Sequence, residues 1–204
     1  MGLILVVAGA ALSALYLVRY CRAGESWAKT AVKTGSLGFP MLALWPMGWP
    51  GLFVVGLAAC VAGDFLLSRP GDGALKAGIG AFALGHLLYI AAMAGQGPLV
   101  PGYVLPAALL ALALSTEYWL APHTGGLRWP VRIYVAIIVA MGIVAALTGR
   151  GWLIAGSLVF IASDLILSLQ LFGRLGGVPA RVAPFAIWGL YIAAQVLLAV
   201  GFAP

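Results

Sequence analysis

Eight apolar stretches, at about residues 2–18, 31–47, 51–67, 74–94, 100–120, 130–148, 152–172 and 182–202, take up nearly the whole chain. Each is long enough to cross a hydrocarbon core of roughly 30 Å as a helix. No water reaches backbone groups in that core, so each span must satisfy its own N–H and C=O groups, which a helix does. The expected fold is therefore an all-α integral membrane protein, an eight-transmembrane-helix bundle forming a single domain over residues 1–204. Composition points the same way. Only 8% of residues are charged, against about 25% in a soluble domain. The net charge of +6 is thinly spread, and no basic run with interleaved aromatics offers a nucleic-acid surface. Cys21 and Cys60 fit no metal or disulfide framework and read as structural.

Glycine, proline and charge clusters separate the spans, with a very tight join at Met47-Gly48-Trp49-Pro50. Pro40 and Pro106 fall inside spans and should kink them. No Lys or Arg precedes the first apolar run, so the N-terminus reads as an uncleaved span rather than a signal peptide. Ten of the eleven Lys and Arg residues lie in or beside odd-numbered connections, the exception being Arg150. By the positive-inside rule those connections are cytoplasmic and both termini face outside.

Against this background the acids stand out. There are five: Glu25, Asp64, Asp72, Glu117 and Asp164. Two sit inside spans, in Val61-Ala62-Gly63-Asp64-Phe65-Leu66-Leu67-Ser68 and, one hundred residues on, Ile161-Ala162-Ser163-Asp164-Leu165-Ile166-Leu167-Ser168. A charge at the bilayer centre costs roughly 2.5–3.5 kcal/mol even on a mild scale, so such residues mark function. Leu88-Tyr89-Ile90-Ala91-Ala92 likewise returns as Leu190-Tyr191-Ile192-Ala193-Ala194. Spans three and four thus echo spans seven and eight, which implies a parallel 4+4 internal repeat about an axis along the membrane normal. Such an axis would bring Asp64 and Asp164 toward each other. Repulsion and desolvation then make one a general acid and the other a general base. The plainer alternative is that each carboxylate bonds the Ser four residues on or caps a helix.

Other polar residues gather in the same spans. His86 and Tyr89 lie one turn apart on one helical face, as do Tyr191 and Gln195. They read as site residues or as interhelical glue. Lys33, beside Thr34, reads as a contact for a lipid phosphate or as a snorkelling anchor, and Arg69 has the same two readings. Glu117 reads as interfacial. With His86 as the one histidine inside the bundle, a three-histidine zinc site cannot be built, and no metal or organic cofactor is called for.

The set Lys33-Thr34, Gly63-Asp64 with Leu66-Leu67, Gly85-His86-Leu87-Leu88-Tyr89, Ser163-Asp164 and Tyr191-Ile192-Ala193-Ala194-Gln195 resembles the YhhN family of lysoplasmalogenases over about residues 30–200. The family usually has Lys-Pro where this chain has Lys33-Thr34. The resemblance implies an eight-helix membrane hydrolase that cleaves the sn-1 vinyl ether of a lysophospholipid to a fatty aldehyde and a glycerophospho head group. Asp64 and Asp164 would be the catalytic pair. Lys33, His86, Tyr89, Tyr191 and Gln195 would bind substrate or water. The protein would be multi-pass in a bacterial inner membrane with its site toward the cytoplasm. Its partners are the lysophospholipid and membrane lipid, with no nucleic acid, and a homodimer is compatible with the sequence. The rival reading is a proton-coupled transporter using the same two aspartates. It asks for acids in both halves of the membrane, whereas the polar residues cluster toward one side.

Overall fold

A computed structural model describes residues 1–97, 99 and 102–204. Among them there are eight α-helices and no strand. They are α1 (Gly2–Leu15), α2 (Trp27–Leu44), α3 (Gly51–Leu67), α4 (Asp72–Ala94), α5 (Val104–Trp119), α6 (Arg128–Thr148), α7 (Gly151–Leu171) and α8 (Gly177–Gly201). Six described helical stretches are long and apolar enough to cross a membrane. Of the other two, α3 is apolar but shorter, and α2 is diluted by Lys29, Lys33 and several hydroxyl residues. Large apolar side chains such as Leu3, Val18, Val104, Leu114 and Ile133 are exposed, the surface expected of a multi-pass membrane protein.

The helices follow the expected spans, with differences that have local causes. α2 begins at Trp27 rather than at 31 because Ser26 caps it, its hydroxyl accepting the Lys29 N–H at 3.1 Å. α8 begins at Gly177 rather than at 182, with Pro179 in its first turn, where no N–H is missed. Pro106 is likewise the third residue of α5, so the expected kink there does not arise; Pro184 instead joins Pro40 as an intrahelical proline. Residues 100 and 101, placed at the start of the fifth span, lie outside the described residues. α1 continues into a π turn over Tyr16–Tyr20, closed by the Cys21 N–H on Tyr16 O at 2.9 Å.

The chain divides into two compact units, residues 1–92 with Pro204, and residues 93–203. In the first, α1 packs on α2, and α2 on α3. Pro40 has no N–H to give Ser36 O, and Gly9 of α1 approaches that freed carbonyl. A Cβ on Gly9 would lie 2.7 Å from Ser36 O and 2.4 Å from Pro40 Cδ. α2 and α3 are joined by a 3₁₀ turn at Trp45–Met47 and by Gly48, whose φ of 88° needs glycine. α3 and α4 interlock by small residues on alternate helices: Gly56 against Tyr89, Gly85 against Cys60, Gly63 against Phe82 and Gly78 against Leu67.

In the second unit α5, α6, α7 and α8 pack in sequence order. Gly142 of α6 admits Leu109 from α5 and Ile161 from α7. α7 and α8 meet through Gly156 against Leu198 and Gly201 against Leu153. Lower on the same interface Phe160 meets Tyr191 edge-on at 5.5 Å.

Candidate functional site

Asp64 lies one turn before the end of α3 and is 1% exposed. A buried carboxylate without a partner is too costly to persist. Its partner is Lys33 of α2, whose Nζ stands 3.1 Å from Asp64 Oδ1. α2 delivers that ammonium because its capped start sets Thr30, Lys33 and Thr34 on one face, one turn apart. Tyr16 is buried on the π turn of the same unit. π turns are common at functional positions in helices.

In the second unit the Tyr134 hydroxyl of α6 donates a short hydrogen bond to Asp164 Oδ2. Asp164 is partly exposed where Asp64 is sealed. Neither carboxylate is held by the Ser four residues on: Ser68 Oγ donates to Phe65 O at 2.7 Å and Ser168 Oγ to Leu165 O at 2.8 Å. Both serines turn back onto their own helix, and both aspartates are partnered from the preceding helix.

His86 and Tyr89 are brought together as their spacing predicts, ring centroids 6.2 Å apart, with Phe82 stacked on the other side of His86 at 6.4 Å. Both are fully buried, and Tyr89 also packs on Phe53 at 5.2 Å. Tyr191 sits between Phe160 and Trp188, with Gln195 buried one turn along α8. Glu117 accepts from Arg132 Nε at 2.8 Å in an exposed pair. His123 meets Arg174 at 3.2 Å.

Chemically, the first unit offers a sealed carboxylate neutralised by an ammonium. The second offers a half-buried carboxyl that accepts a phenol's hydrogen bond.

The pattern that defines the YhhN family matches residues 28–202, from the start of α2 to the end of α8. The chain belongs to the YhhN family. This YhhN-family chain is 34% identical over 160 residues to a protein named lysoplasmalogenase from Mycobacterium bovis, covering 73% of this chain and 59% of that protein. It is 36% identical over 158 residues to lysoplasmalogenase TMEM86A of Bos taurus, covering 71% and 62%. It is 34% identical over 166 residues to lysoplasmalogenase TMEM86B of Homo sapiens, covering 76% and 66%. The chain thus spans about three fifths of the mycobacterial relative's length. No solved structure matches it.

Sequence reasoning missed Tyr134. The available signal was its place as the one tyrosine in the sixth apolar span, 101 residues after Lys33 and so nearly in the same repeat position. Ser163, named there only as part of a motif, has a role in packing: its hydroxyl donates to Ile187 O at 3.0 Å and ties α7 to α8 beside Asp164.

Proposed function

We propose that this chain hydrolyses the vinyl ether bond of lysoplasmalogens, releasing a fatty aldehyde and a glycerophosphoethanolamine or glycerophosphocholine. Family membership and the printed names of its relatives support the substrate class. One structural observation carries the reading. Each span-embedded aspartate is held by a directed side chain from the preceding helix, not by its own serine. That is support for a reactive group rather than a cap.

A vinyl ether is cleaved by protonating its β-carbon, which gives an oxocarbenium ion. Water adds to that cation, the resulting hemiacetal loses the glycerol oxygen with a proton, and the aldehyde leaves. The proton comes from one carboxyl acting as general acid. The other carboxylate stabilises the cation and takes a proton from the attacking water, as paired carboxylates do in glycoside hydrolysis. In this reading one role falls to Asp64 and the other to Asp164. His86, Tyr89, Tyr191 and Gln195 orient water or the glycerol. An apolar groove of about 320 Å³ flanked by Met41, Trp45, Val54 and Ala58 suits the alkenyl chain. The charged ends of α2 and α3 face the cytoplasm of a bacterial inner membrane in this reading, following the positive-inside bias.

The test is aldehyde release from lysoplasmenylethanolamine by purified protein in detergent, for wild type, Asp64→Asn and Asp164→Asn. Release that disappears in both folded variants supports the pair. Release that survives either one removes that residue from the mechanism. Absence of aldehyde from the wild type, with proton-coupled flux in vesicles, would replace the hydrolase by a transporter.

A further inference from the structure

Three cations belong to the Lys33–Asp64 end of α2 and α3: Lys29, Lys33 and Arg69. Lys29 Nζ donates to Ala23 O at 2.6 Å, and Lys33 is set against Asp64. Arg69 differs. It follows the Ser68 cap of α3, its N–H still bonding Leu66 O at 3.0 Å. Its guanidinium lies 3.9 Å from the centroid of the Trp27 ring. Nη1 donates to Thr30 Oγ1 at 3.0 Å. The Thr30 hydroxyl is buried and itself donates to Ser26 O at 3.1 Å, which fixes its lone pair toward Arg69. Phe65 flanks the Trp27 ring at 6.4 Å.

A guanidinium presents five N–H donors in a planar fork, and Thr30 takes one. Among the described residues the ion pairs are Lys33–Asp64 and Arg132–Glu117, so no carboxylate neutralises Arg69. Stacking on an aromatic face and a single anchoring bond hold the plane still while leaving an open edge. That is the posture suited to an oxyanion taken through two parallel hydrogen bonds. An exposed tryptophan beside it is the usual companion of a lipid head-group level.

We propose that Arg69, steadied by Trp27 and Thr30, binds the phosphodiester of the lysolipid head group, an inference that rests on the hydrolase reading for its substrate class. Arg69 is anchored on Thr30, three residues before Lys33 on α2 and so about 4.5 Å from it along the helix axis. A phosphate on Arg69 therefore leaves the sn-1 oxygen, a glycerol away, level with Asp64 and Lys33. The phosphate contact expected of Lys33 passes to Arg69, because the Lys33 ammonium already neutralises Asp64.

The experiment uses two uncleavable saturated ethers, 1-O-hexadecyl-glycerophosphoethanolamine and 1-O-hexadecylglycerol, titrated calorimetrically into the full-length protein in detergent. Wild type should prefer the phosphate-bearing ligand by about tenfold, the scale of one charge-assisted fork. Arg69→Gln should erase that preference with affinity for the glycerol ether unchanged. Arg69→Lys should restore only part of it, since an ammonium lacks the fork. Trp27→Leu, which keeps the charge but removes the stacking surface, should lower the preference by a smaller factor and serves if Arg69→Gln does not fold. A full preference persisting in folded Arg69→Gln overturns the proposal. So does an unchanged preference accompanied by loss of diacyl phospholipid retained on purification, which would assign the cation to bulk lipid. Neither ligand is cleaved, so a protein that releases no aldehyde yet shows the Arg69-dependent preference would lose the hydrolase reading alone.

Discussion

Asp64 in α3 and Asp164 in α7 occupy the same place in two like stretches of sequence, yet they live differently. Asp64 is sealed and neutralised by Lys33, while Asp164 is partly open and receives a phenol hydrogen bond from Tyr134. The neighbouring interfaces differ too. Tyr89 packs where α3 has Gly56, two turns before Asp64. Tyr191 packs on Phe160, one turn before Asp164. A repeated motif therefore sets where a carboxyl stands in its helix, and the residue arriving from the preceding helix sets what that carboxyl can do.

The sharpest break of this comparison comes from Asp164→Asn. The replacing amide still accepts from Tyr134, so thermal unfolding should barely move while aldehyde release falls by about 10²–10⁴-fold, the usual worth of a general acid or base. Asp64→Asn should cost both. It strands a largely buried ammonium, a loss of about 3 kcal/mol in unfolding free energy. Lys33→Met combined with Asp64→Leu should recover that stability, but not the activity, because an apolar pair replaces the ions. If the double variant were as unstable as the single one, the pair would be a packing feature rather than a charge feature.

Gly56→Ala comes next. Its Cβ would lie 2.7 Å from Tyr89 Cδ1 and 3.0 Å from Gly85 O, so unfolding should cost about 1–3 kcal/mol. Tyr134→Phe removes one hydrogen bond to Asp164 and should lower kcat by about tenfold at a cost of about 1 kcal/mol in unfolding free energy. The same loss of kcat in the folded Asp164→Asn background would show that Tyr134 acts elsewhere. Glu117→Gln is the smallest change. It breaks an exposed pair and should leave unfolding and aldehyde release at wild-type values.

Much of the fold was legible in the chain, and less of the site. The spans could be counted because a hydrocarbon solvent tolerates few charges, so Arg19, Arg69, Arg128 and Arg174 fall near their ends. The starts of α2 and α8 were set too late, since Lys29 and Arg181 look like boundaries to a hydropathy reading, yet Lys29 lies in the first turn of a helix capped by Ser26 and Arg181 in the second turn of α8. The two aspartates were visible from their cost alone. Their partners were not. A membrane helix is apolar toward lipid and toward its neighbours alike, so periodicity does not say which face turns inward.

What the sequence determined by itself is the class of molecule, the helix boundaries to within a few residues and the two carboxyls lodged in its spans. Those follow from transfer energies that act on one residue or one segment at a time. Tertiary structure decided that Lys33 rather than Ser68 answers Asp64, that Tyr134 answers Asp164, and that Arg69 rests on Trp27. Such choices depend on the rotation and register of one helix against another. In this chain they are set by where glycines let backbones close, a property of pairs of helices and not of either sequence alone.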